Sequence, residues 1–313
     1  MELARLARTI AALVALLVAA CVSIGRHHAE PAPPFFGIDL PGGSTGLAQA
    51  SSAAECRPSV LSMFVKLDST SFTLAKLTSS ASGRTPFITL EPWSLRSSVG
   101  ESHQPKYALT ATVRGAYDAD FRRIAAVIAA FQKPVYLRFA HEMNGDWYPW
   151  GSGVNGNQPA DYVRAWRHVH DIFAAAGAHN ARWVWSPDAL MTKAPPPIAP
   201  LYPGDAYVDF VGLTVYGHTA REPDVASSVG PYLQQLHAIS HRPVLLSEVG
   251  TDGPGKASWI RALGPYLHDN QIRGFVWFDT SRHSGATGDY RFTDTAADIA
   301  AFRSMLSDAG VRC

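Results

Sequence analysis

Short apolar runs recur along the chain, each followed by enough residues to form a helix before the next begins. They are Phe35–Leu40, Val60–Leu67, Pro86–Leu90, Val135–Ala140, Arg182–Trp185, Val208–Val215, Val244–Ser247 and Phe275–Phe278. Several of the intervening stretches carry apolar residues at helical spacing. In Asp118–Phe131 these are Phe121, Ile124, Ala125, Ile128 and Phe131, and in Asp161–Ala176 they are Tyr162, Ala165, Trp166, Val169 and Phe173. Val225–Ile239, Ser258–Leu267 and Thr295–Leu306 also read as helices. Strands alternating with helices imply a parallel sheet. Eight such units between Phe35 and Asp279 predict an α/β fold, a closed (β/α)8 TIM barrel in a single domain. The rival is an open, doubly wound sheet, which signals itself by a glycine-rich phosphate turn after its first strand. Pro41-Gly42-Gly43 follows the first run here, without the GxGxxG pattern. Ala194–Pro203 is expected to form a loop between the fifth and sixth strands.

The first residues break this pattern and are set apart from the fold. Arg5 and Arg8 precede the apolar run Ile10–Val18, which is too short to span a membrane comfortably. Val18-Ala19-Ala20-Cys21 then places small residues before a cysteine, which is similar to a lipoprotein signal with Cys21 as the acylated residue. A plain secretory signal is the alternative. The expected organisation is a signal peptide over residues 1–20, a flexible tether over 21–34 and a catalytic barrel over 35–313. The product would be exported, held at a membrane facing the periplasm or cell surface only through its lipid, or else secreted. Cys56 and Cys313 are the remaining cysteines, and in an exported protein they are expected to form one disulfide. Two free thiols are the alternative.

Composition narrows the function by exclusion. The 313 residues are 47% hydrophobic and 17% charged, with a formal net charge of +1 and no basic stripe, so nucleic acid is not an expected partner. Eight tryptophans, several just past a predicted strand, could stack on sugar rings or pack in the core.

A barrel of this kind works at the C-terminal ends of its strands. Asp39, Glu91, His141, Glu142, Asp188, Tyr216, Glu248 and Asp279 close apolar runs and are therefore candidates. Glu142 and Glu248 end the fourth and seventh runs. Strand alternation puts Glu142 on one face with Arg138, and Glu248 on one face with Val244 and Leu246. Both carboxylates could then point into the barrel mouth, and such a pair is what glycosidic cleavage with retention needs: one attacks while the other protonates the leaving oxygen. The bland alternative is an ion pair, for instance Glu142 with Arg138. A zinc HExxH site would need a second histidine at position 145, which is Gly145, so no metal is expected. No GxSxG elbow is present either.

His141-Glu142-Met143-Asn144-Gly145, followed by Trp147 and Trp150, closely resembles the acid/base segment of glycoside hydrolase family 26, which includes the β-mannanases. Ser247-Glu248-Val249-Gly250 is similar to that family's nucleophile strand. Thr214-Val215-Tyr216-Gly217 and Val276-Trp277-Phe278 resemble its strand-six and strand-eight segments. The resemblance implies Glu142 as general acid/base and Glu248 as nucleophile. It also implies that His141 hydrogen-bonds near the sugar at the cleaved bond, that the Tyr216 hydroxyl holds Glu248, that Trp277 forms a platform under that sugar and that Trp147 lines a neighbouring subsite. Trp93, Tyr148 and Trp150 are further candidates for sugar contact. The expected activity is a cofactor-free, monomeric, retaining endo-β-glycanase with β-mannan as first substrate. Alternatives are the same mechanism on mixed-linkage β-glucan, β-1,3-xylan or a self-produced exopolysaccharide, or a surface lipoprotein that binds glycan without cleaving it.

Overall fold

The computed structural model describes residues 33–41, 43–94, 102–190, 195–218, 224–284 and 286–313. The expected signal peptide, the lipid-attachment residue Cys21 and the tether as far as residue 32 lie outside the described residues.

Eight parallel strands close into a barrel in simple sequence order. They are β1 Phe35–Asp39, β2 Val60–Lys66, β3 Thr85–Glu91, β4 Val135–Phe139, β5 Ala181–Trp185, β6 Phe210–His218, β7 Val244–Asp252 and β8 Gly274–Phe278. Around them run α1 Gly43–Ala54, α2 Leu74–Ala81, the short α3 Leu109–Val113, α4 Asp118–Phe131, α5 Pro159–Ala175, α6 Val225–Ile239, α7 Lys256–Asp269 and α8 Ala296–Asp308. This is the (β/α)8 barrel that the alternation of runs predicted. The helices α1, α2 and α3 went unpredicted: α2 and α3 are short, at eight and five residues, and in α1 Ser, Thr and Gly dilute the apolar stripe. Local chemistry marks the starts of several helices. Thr73, Asp224 and Thr295 each accept a backbone N–H from the first turn of α2, α6 and α8.

The core has two parts, as barrel geometry demands. Val60, Phe87, Val184, Leu245 and Val276, from five strands, fill the lower lumen. A larger cluster lies between the strands and the helix ring, and includes Phe36, Ile38, Leu137, Phe139, Val244, Leu246, Phe275, Trp277 and Phe302. Alternation then assigns the upper lumen: Asp39 on β1, Phe64 and Lys66 on β2, Glu91 on β3, Tyr216 on β6 and Phe278 on β8 all face the barrel mouth.

Strand β7 departs from simple alternation. Leu213 on β6 pairs with Leu246, but the next residue, Thr214, pairs with Glu248. On the other side, Phe275 and Trp277 of β8, two apart, pair with Leu246 and Val249, three apart. One extra residue is therefore inserted at Ser247–Glu248, as in a bulge. Leu245 faces the lumen while Val244 and Leu246 face the helices. The expectation that Glu248 shares a face with Val244 and Leu246 is thus corrected: unbroken alternation would send Glu248 outward, and the inserted residue turns it in.

Cys56, just past α1, is joined to Cys313 by a disulfide, with Cα atoms 4.9 Å apart. This ties the chain end to the first βα unit.

Candidate active site

An open cavity of about 840 Å³ occupies the C-terminal face of the barrel. Its wall includes five carboxyl groups, those of Asp39, Glu91, Glu142, Asp188 and Glu248, together with aromatic rings. Such concave, partly apolar mouths with a few convergent polar groups are where barrels bind ligands.

Glu142 reaches this wall through an unusual backbone. The strand β4 ends at Phe139, and both Ala140 and Glu142 adopt left-handed conformations, with φ of 43° and 55°. Non-glycine residues seldom do so without being held, and strain of this kind gathers at functional sites. Here the Glu142 N–H bonds to the Ser186 carbonyl at the end of β5 (2.8 Å), which fixes the turn. The Trp147 indole N–H donates to Glu142 Oε2 at 2.7 Å. Gly145 makes this possible: a Cβ there would stand 2.4 Å from the Trp147 ring. The spacing of Glu142, Gly145 and Trp147 is therefore a folding requirement of the loop as well as a chemical one.

Glu248 is held differently. Arg138, fully buried on β4, bonds to Glu248 Oε2 and also to Thr89 Oγ1 (3.0 Å) and Thr214 Oγ1 (3.3 Å). The Tyr216 hydroxyl donates to the other oxygen, Oε1. Ligand atoms of His141, Glu142 and Glu248 all lie within 4.8 Å of one another. An oxygen of each carboxyl thus lies within 4.8 Å of the other across the cavity. Burial, and then the Glu248 charge, raise Glu142 to about 7.

His141 Nε2 stands 3.8 Å from Glu142 Oε1. Burial, with the charges of Arg138 and Lys66, holds its imidazole well below the ordinary value, so it is neutral near pH 7. The same three residues form the one group that could hold a cation among the described residues. Three of the four carboxyl oxygens are already engaged, by the Arg138 guanidinium, the Tyr216 hydroxyl and the Trp147 N–H.

Several of the residues expected from the sequence line the cavity, and others do not. Glu142, Glu248, Tyr216, Trp147, Trp93 and Tyr148 line the cavity. Trp277 does not. It lies between the inward Val276 and Phe278, and so it faces the helices, fully buried, edge-on to Phe302 at 5.2 Å, with its N–H on the Tyr290 carbonyl. It cannot be a platform under a sugar; Phe278 and Tyr290 hold the wall there. Trp150 is also fully buried. It stacks behind Tyr148 at 4.4 Å and donates to the His141 carbonyl at 2.7 Å, so it supports the wall without forming it. His141, 1% exposed and behind the wall, adjoins Glu142 and not open cavity. The ion pair weighed for Arg138 with Glu142 forms with Glu248 instead.

Sequence reasoning also missed parts of the wall. Lys66 pairs with Glu91 and lies 4.4 Å over the Trp93 ring. Alternation from Val60 through Ser62 and Phe64 would have placed it there. Tyr290 sits in an irregular segment and packs at a tilt against Tyr216, with centroids 4.6 Å apart, and no periodicity points to it.

Comparison with known proteins agrees with this geometry. Residues 92–282 match the model of glycosyl hydrolase family 26, and the chain belongs to that family. It is 29% identical over 230 residues to Endoglucanase H of Acetivibrio thermocellus, a match covering 70% of this chain and 24% of that protein. It is 33% identical over 188 residues to the β-1,3-xylanase TXYA of a Vibrio species, covering 53% of this chain and 39% of the relative. The chain thus spans well under half the length of these relatives. Among solved structures it is similar to a Cellulomonas fimi endo-β-1,4-mannanase double mutant, with a TM-score of 0.70, 17% identity, and 90% and 72% of the two chains covered. A family 26 β-mannanase from Bacteroides ovatus gives a TM-score of 0.68 at 18% identity, with 90% of each chain covered.

Proposed function

We propose that this chain hydrolyses internal bonds of a β-linked polysaccharide with retention of anomeric configuration. The observation that carries the proposal is the pair of facing carboxyls, one kept protonated to about pH 7 and the other held by a buried arginine. Glu248 attacks the anomeric carbon as Glu142 gives its proton to the departing oxygen, and the glycosidic C–O bond breaks. A water then gives a proton to Glu142 and its oxygen to the anomeric carbon, which frees Glu248. Arg138 and Tyr216 position the nucleophile, and Trp147 aims the acid. No cofactor is needed.

β-Mannan is the first substrate to test. Mixed-linkage β-glucan is the second, favoured by the endoglucanase match over 70% of the chain. The export reading of residues 1–34, with Cys21 as lipid anchor, belongs to the same proposal, and a Cys21→Ser chain that still partitions with membranes would remove it. The enzymatic test is product release from β-mannan, glucomannan, mixed-linkage glucan, β-1,3-xylan and the host's exopolysaccharide, with the first-formed anomer followed by NMR. Retained products that vanish with Glu248→Ala support the proposal. Inverted products, or polymer that is bound and stays intact, refute it.

A further inference from the structure

Of the five carboxyls on the cavity wall, four have a donor. Lys66 serves Glu91, Trp147 serves Glu142, Arg138 and Tyr216 serve Glu248, and Ser62 serves Asp39. Asp188 has none among the described residues. Yet its main chain is held with unusual care. Its N–H bonds to Asn144 Oδ1 and its carbonyl accepts from Asn144 Nδ2, both at 2.8 Å. It bridges to Thr214, whose N–H bonds to the Pro187 carbonyl at 2.9 Å and whose carbonyl accepts from Ala189 at 2.8 Å. A carboxyl whose main chain is held from behind, and which faces the cavity with no protein donor among the described residues, is placed to take a ligand hydroxyl.

We propose that Asp188 is a specificity-determining residue that hydrogen-bonds a hydroxyl of the leaving-group sugar. The proposal rests on the glycosidase reading of the two glutamates. The side of the cavity follows from position. Asp188 stands at the end of β5, next to the β4 end that carries Glu142, and Asn144 of the Glu142 loop is the residue that clamps it. Glu142 protonates the leaving oxygen, so the sugar departing with that oxygen lies beside it. Burial and the charges of Glu142 and Glu248 raise Asp188 well above the ordinary carboxylate range. A neutral carboxyl both donates and accepts, which matches a sugar hydroxyl, and an amide can do the same.

The test compares kcat/KM for mannohexaose and cellohexaose with that for the 2,4-dinitrophenyl β-glycosides of mannobiose and cellobiose, whose leaving group is no sugar. On the hexasaccharide that is turned over, Asp188→Ala loses roughly ten- to a hundredfold, the cost of an unmade buried hydrogen bond. On the matching aryl glycoside it is unchanged, and Asp188→Asn recovers most of the loss. Equal loss on both substrates overturns the proposal by placing Asp188 under the retained sugar. So does a hexasaccharide loss accompanied by a displaced alkaline limb of the pH profile, since Asp188 would then act on Glu142. Glu248→Ala, inactive on both substrates, marks the failure of Asp188 apart from that of the glycosidase reading. Absence of turnover by the unaltered chain overturns both.

Discussion

Replacing Glu142 by Gln should stabilise the fold in alkaline solution and leave it unchanged in acid. Glu142 is 6% exposed and is raised from 4.5 to about 7 by burial and the Glu248 charge. Below about pH 4 the carboxyl is protonated in both the folded and unfolded chain, and it contributes no pH dependence. Between 4.5 and about 7 the unfolded chain loses this proton while the folded chain keeps it. The folded state then binds more protons, so stability falls as pH rises. At 1.36 kcal/mol per unit the full loss is about 3 kcal/mol, reached above about pH 8. The uncharged amide of the Glu142→Gln variant carries no such cost. The carboxyls of Asp39 and Asp279, both also raised, are common to the two proteins and cancel in the difference. Urea unfolding of both proteins, disulfide intact, at pH 4.5, 6, 7 and 8 measures this. The variant's advantage should grow by about 3 kcal/mol across the series. A difference that stays constant from pH 4.5 to 8 would refute the premise that Glu142 holds its proton to neutrality, and with it the acid role.

Three further predictions test the surroundings of the pair. Arg138→Met leaves Glu248 buried without its cation and should cost about 3–5 kcal/mol in chemical unfolding, together with nearly all activity. Full stability there would mean that Glu248 does not depend on the arginine. Trp147→Phe removes an N–H donated to Glu142, and that bond favours the charged form. The alkaline limb of kcat/KM should therefore move to higher pH, with a rate loss of about tenfold, and a limb that moves down contradicts the assignment. Trp277→Phe should lower stability by about 0.5–3 kcal/mol with KM unchanged, whereas Phe278→Ala should raise KM; a KM effect confined to Trp277 would put the indole back in the cavity.

Much of this protein is legible in its sequence, because local patterns carry it. The eight apolar runs and the helical stripes of α4, α5, α6, α7 and α8 specify a parallel barrel, since each element must bury one face against the next. Placement of the chemistry at the strand ends follows from the fold class. Glu142 and Glu248 could be singled out as the acidic pair ending the fourth and seventh runs within familiar segments. Family membership, through the segment from His141 to Trp150, was equally readable.

What the tertiary structure decided is where individual side chains point and whom they meet. Alternation along β7 counts Glu248 outward, and an inserted residue, specified by pairing with β6 and β8, turns it in. The same alternation, unbroken in β8, sends Trp277 to the helices, although its neighbours in sequence look like a sugar platform. Arg138 could be matched by parity to Glu142, but the closed barrel brings it instead to Glu248 from the far side of the lumen. Trp150, His141 and Asp188 differ in exposure and partners for the same reason: packing among loops from different strands fixes them. A sequence periodicity records which face of an element is apolar; distances across a closed barrel depend on register and loop packing, which no single stretch of chain contains.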